Sequence, residues 1–382
     1  MLITGATGYV GPVVIQRLRT SYPNEQLRAI DAGWFLSQND GTEPAYEVLL
    51  DELILGDIRD ASKHWFIPGE PIVHLAGVSN DPIGHQYASV TKEINEVSTL
   101  RMAQLAKESG ASAFVFASSA SVYGAGSPEP RKEDSAINPQ TAYANSKIRA
   151  EIGLSELASS DFKVTCLRFA TACGWSPRLR LDLVLNDFVA SALATGRIAV
   201  LSDGLPWRPL IHVRDMARAV DWSVSRSRQE HSDYVVVNVG SDEWNFQVRD
   251  LGHAVASVLG DIAVDINTEA QSDTRSYRLD FSLWRQMAPD HQPAESLPDT
   301  IKELAFHMKN LPDLDSEFRA SNRIRLKRLE ELQATGWIDE TLRWRSGSHG
   351  TTSPSPKDKH PVEQVAMLHR TSGGGGLDCA GS

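Results

Sequence analysis

Through the first half of the chain, short apolar runs alternate with longer amphipathic stretches. The runs at 2–4, 27–31, 53–56, 72–76, 113–118 and 163–169 are apolar almost throughout, without strict alternation. That is the pattern of strands buried on both faces, as in a parallel sheet covered by helices. The stretches at 12–19, 88–109 and 142–158 have helical character and lie between those strands. Strand–helix alternation of this kind predicts βαβ units and an α/β fold with a doubly wound parallel sheet.

After about Ala170 the alternation loosens. A helix at 182–195, a strand at 198–201, a Pro-rich turn at 205–209, a helix at 214–225 and a strand at 234–239 are expected next. Residues 1–170 therefore read as the sheet domain and 171–345 as a smaller cap whose strands interleave with the main sheet. The stretch 321–332 reads as a charged surface helix. From Ser346 onward Ser, Thr, Pro, Gly and His dominate, including four glycines at 373–376. Such a segment buries too little apolar surface to offset its ordering entropy, so 346–382 is expected to be a disordered tail.

Composition narrows the field. Of 382 residues, 38 are Lys or Arg and 49 Asp or Glu, a formal net charge of −11. That balance disfavours a nucleic-acid partner, which would need a local basic patch. The three cysteines, Cys166, Cys173 and Cys379, have neither metal-ligand spacing nor a plausible disulfide pattern. They fit a reducing, cytoplasmic setting, and no metal site is expected. No apolar run approaches the roughly 20 residues of a membrane span, and the first residues lack a signal peptide's charged and apolar regions. The first strand has only three residues before Gly5. Either that strand is short or a few residues precede Met1.

Candidate chemistry begins directly after that strand. In Thr4-Gly5-Ala6-Thr7-Gly8-Tyr9-Val10-Gly11 the glycines recur every third residue, and Pro12 follows in the first helical turn. A turn of this kind brings backbone N–H groups against a pyrophosphate at a helix N-terminus. Pro12 suits the helix start because no donor is needed there. Asp31 closes the second strand, about 20 residues on, where an acid can accept from an adenosine ribose hydroxyl. Ala32-Gly33-Trp34 follows it with no arginine for a 2′-phosphate, which favours NAD over NADP.

Tyr143 and Lys147 stand four apart in a predicted helix and share a face. A phenol titrating near 10 is a weak base at neutral pH. A neighbouring ammonium and a cationic nicotinamide would favour its phenolate. A YxxxK match alone means little in a chain this long. Ser119, at the end of the fifth strand, lies where ligands bind in open parallel sheets. It could share a substrate oxygen with Tyr143.

Together TGxxGxxG, the acid after strand two, His74-Leu75-Ala76-Gly77, Ser118-Ser119-Ala120-Ser121-Val122-Tyr123-Gly124 and YxxxK resemble the extended short-chain dehydrogenase/reductase family. The similarity covers about residues 1–310 and is nearest its NAD-dependent nucleotide-sugar epimerases and dehydratases. The resemblance implies a Rossmann sheet with Ser119, Tyr143 and Lys147 as the catalytic triad. Gly5, Thr7, Gly8, Tyr9, Val10, Gly11 and Asp31 would hold NAD, assisted by Tyr143 and Lys147. Asp57 and Ile58 would flank adenine, Leu75, Ala76 and Gly77 would line the nicotinamide side, and Asn95 would lie near the cofactor or triad. On the substrate side the resemblance implies Ser119, Ser121, Thr171, Asn186, Arg208 and Arg275. Arg208, in Trp207-Arg208-Pro209-Leu210-Ile211-His212-Val213-Arg214-Asp215, would clamp the nucleotide diphosphate with its guanidinium fork. His212 reads as packed structure and Cys173 as a small pocket-lining residue. Thr171 stands where the family carries Asn, which leaves its substrate contact open.

The resemblance also bears on the reaction. Dehydratases of this group carry Asp-Glu after the triad serine, and decarboxylating relatives carry Glu. Here Ala120 and Ser121 supply neither acid nor base. The expectation is a nucleotide-sugar epimerase that removes hydride from a sugar carbinol, at C4, and returns it to the opposite face. A keto-sugar reductase using NAD(P)H is the alternative, and a non-catalytic dinucleotide-binding regulator is a second. A homodimer through the helices at 88–109 and 142–158 is implied as well.

Overall fold

The computed structural model describes residues 1–36, 46–124, 129–227, 232–270 and 276–345. The expected tail from 346 and Arg275 both lie outside the described residues. The first six strands, β1 (Leu2–Thr4), β2 (Arg28–Asp31), β3 (Glu52–Leu55), β4 (Pro71–His74), β5 (Ala113–Ser119) and β6 (Lys163–Phe169), follow the apolar runs closely. With β10 (Tyr234–Val239) they form a seven-stranded sheet in the order β10-β6-β5-β4-β1-β2-β3. All six strand pairs are parallel. This is the doubly wound Rossmann arrangement.

Helices cover both faces, which is why the strands are apolar on both sides. On one face α1 (Gly11–Ser21) and α7 (Val213–Ser225) pack Val14, Ile15, Leu18, Ala217 and Val220 against Val115, Leu167 and Val237. On the other, α4 (Thr99–Glu108) and α5 (Ala142–Leu157) pack Met102, Ala106, Ala150 and Leu154 against Ile72, Phe114, Phe116 and Val164. The helix expected over 88–109 is three segments: α3 (Ala88–Lys92), a π-helical turn (Glu93–Ser98) and α4. The widened turn accommodates buried Asn95.

The cap is built from β7 (Thr171–Cys173), β8 (Arg197–Val200), β9 (Trp207–His212), β11 (Asn245–Gln247) and β12 (Ala263–Ile266). These form two small sheets, β11-β9-β7 and β12-β8. Around them α6 (Val184–Thr195), α8 (Val248–Leu259) and α10 (Leu297–Met308) enclose a separate core of Phe188, Val189, Ile198, Leu210, Leu251, Ile301 and Leu304. The chain passes into the cap after β6, returns for α7 and β10, then leaves again. No described helix is long and apolar enough to cross a membrane.

The helix expected at the surface over 321–332 is instead α11 (Arg325–Ala334), and one side of it is core. Its Leu329 and Leu332, with Ile338 and Leu342 beyond, join the apolar cluster under β2 and β4. Arg325 in its first turn is 1% exposed. The charges at Lys327, Arg328, Glu330 and Glu331 mask a narrow apolar stripe.

At the centre of the sheet His74 of β4 is fully buried between Thr4 Oγ1 at 2.8 Å and Thr99 Oγ1 at 2.9 Å. Burial, with the charge of Lys147 adding to it, pushes its imidazole down to about 3. A histidine held neutral when folded takes up a proton on unfolding below its ordinary pKa of about 6.5. Stability should therefore fall between pH 6.5 and 3, by roughly 1 kcal/mol per pH unit from this residue. Denaturant unfolding at stepped pH should give a shallower slope in His74→Asn than in the parent. An identical slope would remove His74 from the account.

Candidate active site

At the carboxyl ends of the strands lies a cavity of about 510 Å³. It opens where the strand order reverses, between β1 and β4, the position at which doubly wound sheets bind ligands. Its walls come from loops far apart in sequence: Gly5, Gly8, Tyr9 and Val10 after β1; Asp31, Ala32, Trp34 and Phe35 after β2; Asp57 and Ile58 after β3; Leu75 to Pro82 after β4; Ser119 and Ser121 after β5; Tyr143 and Lys147 on α5; Thr171 after β6; and Arg208 on β9.

The glycine turn is shaped by contacts that no side chain could share. Gly5 has φ +74°, and a Cβ there would stand 2.6 Å from the Ala76 nitrogen. At Gly11 a Cβ would stand 2.1 Å from the Ala6 carbonyl oxygen. Gly8 differs: a Cβ would meet only the Gly5 oxygen, at 3.3 Å, and Gly8 is on the cavity wall. The space over Gly8 suits a bulky group laid on backbone. Asp31 accepts from the Thr7 N–H at 2.9 Å and the Gly33 N–H at 2.7 Å, which fixes its carboxylate at the end of β2. Asp57 caps the turn Ile58–Asp60 by accepting from the Arg59 N–H at 2.9 Å. A dinucleotide fits this set: an uncovered glycine backbone at a helix start, a fixed acid after β2 and the apolar side chains of Phe35 and Ile58 on the wall.

The triad residues converge at the other end. Thr141 caps α5 by accepting from the Ala144 N–H at 3.1 Å and donates to Asp81 at 2.6 Å. That cap sets the turn carrying Tyr143. Lys147, one turn on, donates to the Ala117 carbonyl at 2.7 Å and lies 5.8 Å from the Tyr143 ring centroid. Behind it Glu151 receives two parallel bonds from Arg168, at 3.0 and 2.7 Å, and a bond from the Ser118 hydroxyl. This buried cluster pins α5 to β5 and β6.

Burial dominates the electrostatics. It raises the Tyr143 phenol above 10, while a hydrogen bond with Ser119 and the charge of Arg180 pull the other way. It pushes the Lys147 ammonium down to about 8, opposed by Glu151. The protein alone therefore leaves Tyr143 protonated at neutral pH.

Several expected contacts fall elsewhere. Asn186 is fully buried off the cavity wall, accepting from the Gly174 N–H at 3.1 Å and donating to the Arg180 carbonyl at 2.9 Å. Asn95 accepts from the Val78 N–H at 2.8 Å and donates to its carbonyl at 2.9 Å and to Ser146 Oγ at 3.1 Å, holding the loop after β4 against α5. Cys173 is buried in the cap core instead of on the wall. Thr7 and Gly11 shape the turn from behind. Ser121 is on the wall, and its hydroxyl is buried with no hydrogen-bond partner among the described residues. Residues not anticipated from the sequence complete the wall: Arg180, Asp182 and Arg325. Arg180 donates to both oxygens of Asp182, at 2.9 and 2.8 Å, and to Ser79 at 3.1 Å.

The two glycines make separable predictions. Gly11→Ala must displace backbone and should cost about 2–3 kcal/mol of stability. Gly8→Ala should stay within about 1 kcal/mol of the parent yet weaken NAD binding by about tenfold or more. Thermal melts and NAD titrations of the two variants check both. Full NAD affinity in Gly8→Ala would overturn this placement of the pyrophosphate.

Comparison with known proteins agrees with this geometry. The NAD dependent epimerase/dehydratase family matches residues 1–240. The UDP-glucose 4-epimerase of Mycolicibacterium smegmatis is 25% identical over 318 residues, 81% of this chain and 98% of that protein. The dTDP-glucose 4,6-dehydratase of Streptomyces griseus is 26% identical over 232 residues, 60% of this chain and 70% of that protein. The solved structure of MoeE5 in complex with UDP-glucuronic acid and NAD has the same fold, with a TM-score of 0.68 at 22% identity, covering 81% of this chain and 99% of that one. The chain belongs to the NAD-dependent epimerase/dehydratase family and is an NAD-dependent enzyme of the extended short-chain dehydrogenase/reductase type.

Proposed function

We propose that this chain is a nucleotide-sugar 4-epimerase. The observation that carries the reading is a cavity with Ser119, Tyr143 and Lys147 at one end and no proton donor or base at positions 120 and 121. Ala120 is buried and Ser121 offers only a hydroxyl. Asp182, an acid of the cavity wall, is bonded by Arg180. Burial raises its pKa, but the Arg180 guanidinium outweighs that and holds the carboxyl below its ordinary range. An acid kept ionised cannot protonate a leaving hydroxyl.

In the first half-reaction Tyr143, as phenolate, takes the proton of the sugar C4 hydroxyl. NAD, held along Gly8, Tyr9, Val10 and Asp31, would supply the hydride acceptor for C4 and a positive charge that favours the phenolate burial alone disfavours. Ser119 bonds the same oxygen and steadies it as it becomes a carbonyl. Lys147, fixed by the Ala117 carbonyl, keeps a positive charge beside the phenolate. After the 4-keto-sugar turns within the cavity, Tyr143 returns its proton to the oxygen as hydride re-enters the other face. Arg208, on the cavity wall, would meet the nucleotide diphosphate through a charge-assisted fork.

The reading includes a homodimer through the outer faces of α4 and α5 and the π-helical turn, where Val97 and Ile152 are 52% and 58% exposed. Sedimentation of Ile152→Glu should show a monomer beside a dimeric parent.

Tyr143→Phe should lose turnover by at least about 10²-fold while binding NAD nearly as the parent does. Unchanged turnover would sink the catalytic assignment and favour a binding role. Purified protein should interconvert the C4 epimers of a UDP-hexose with only catalytic NAD present. A stoichiometric demand for NADH or NADPH would move the assignment to a keto-sugar reductase.

A further inference from the structure

The C-terminal stretch 325–345 does more than pad the sheet. It bonds the loops after β2 and β3, which carry the adenosine end of the cavity, and also reaches Tyr87 just after α2 (Asp81–Gln86). To the loop after β2, Trp344 Nε1 donates to the Ala32 carbonyl at 2.6 Å and Arg328 Nε to the Trp34 carbonyl at 3.3 Å. To the loop after β3, the Thr341 carbonyl accepts from Arg59 at 2.6 Å, and Arg343 pairs with Asp60 at 2.7 Å. After α2, Gln333 accepts from the Tyr87 hydroxyl at 2.9 Å. Leu329, Leu332, Ile338 and Leu342 are buried beneath these bonds, so the stretch is anchored by apolar area as well.

One residue of this stretch enters the cavity. Arg325 is 1% exposed, stands 4.1 Å over the Phe35 ring and is on the cavity wall. Its Nη2 donates to the Arg178 carbonyl at 2.8 Å. Arg180 is on the same wall, and Arg178 lies just behind with Nε and Nη1 buried and without hydrogen-bond partners among the described residues. Burial and the charges of Arg180 and Arg178 push the Arg325 guanidinium down to about 9, with Asp182 and Asp31 opposing. Two buried guanidiniums on a wall shared with the glycine turn, and the unpartnered Nε and Nη1 of Arg178 behind them, make a setting that favours an anionic ligand.

We propose that residues 325–345 form a clasp over the adenosine half of the dinucleotide, with Arg325 donating to its pyrophosphate opposite the glycine turn. The clasp ties the sides of the adenosine pocket to one another, so release of the dinucleotide requires α11 and the strand-like stretch beyond it to part from the loops. Slow release is what an epimerase needs, since its hydride must return to the substrate that gave it. The inference rests on the cavity holding NAD, not on which sugar is turned over.

Three measurements test it: the fraction of purified chain carrying NAD, the exchange of bound NAD against labelled NAD, and amide exchange of 325–345 with and without NAD. Arg325→Met, which keeps the stem against Phe35, should weaken NAD by about tenfold or more. NADP should weaken by a similar factor, because the pyrophosphate is common to both. Trp344→Phe combined with Arg343→Ala leaves the cavity wall untouched and should speed NAD exchange by a comparable factor. In the parent, NAD should slow amide exchange across 325–345. NAD affinity and exchange within twofold of the parent in both variants would overturn the clasp. Loss of NADP binding alone in Arg325→Met would overturn the pyrophosphate assignment. A parent that binds no NAD would overturn the premise instead. If Arg325→Met does not fold, the double variant and the amide exchange decide the matter.

Discussion

The seam between β1 and β4 is the constraint on which the rest depends. Sheet order reverses there, so one crossover helix leaves on each face and the loops at the carboxyl ends part. Bonds across the seam keep that parting narrow and fixed: the Ala76 N–H donates to Thr4 Oγ1 at 3.2 Å and the Leu75 N–H to the Thr4 carbonyl at 3.1 Å. Gly5 passes so close to Ala76 that no side chain fits between them. The glycine turn is thereby pressed against the loop after β4, and it and the wall carrying Ser119, Tyr143 and Lys147 become two sides of one crevice. Burial and the charge of Lys147 keep His74 neutral, and its bonds with Thr4 and Thr99 let this polar ring occupy the centre of the sheet.

Much of this was legible because it is local. A glycine every third residue before a proline, an acid at the end of β2, and Tyr and Lys four apart are each set by a turn, a strand end or a helical period. The strands could be read from apolar runs because both faces are covered. What escaped detection was set by distant partners. Arg180 and Arg325 reach the cavity from segments whose local pattern suggests only solvated charge. In α11 a stripe of Leu326, Leu329 and Leu332 is outnumbered by charged neighbours, so the helix looked like a surface one. Asn186 shows the reverse: the resemblance implies a substrate contact, but nearby buried backbone N–H and carbonyl groups take its amide. Asn95 lies near Tyr143 and Lys147 as expected, and bonds Val78 and Ser146 there.

Global charge misleads in the same way. The chain carries a net charge of −11, yet the ligand it is built for is an anion. The positive field comes from buried guanidiniums placed one by one, each offset by a carboxylate that a phosphate need not displace: Arg178 by Glu47 at 2.7 Å, Arg180 by Asp182 at 2.8 Å. Offsetting them in this way keeps the interior from carrying bare charge.

Burial sets Tyr143 and Lys147, the proposed catalytic pair, at cross purposes. The same low-dielectric surroundings that raise Tyr143 lower Lys147, so each drifts toward its neutral form and the pair is least effective when nothing is bound. A cation delivered beside the phenol reverses the first drift, and the phenolate then formed stabilises the ammonium and reverses the second. In the proposed reaction, competence for proton transfer would therefore be coupled to cofactor occupancy. On that reading the coupling gives a physical reason for a tightly kept cofactor: an epimerase that returns its hydride every turnover would gain nothing from letting the cation go, and would lose its base whenever it did.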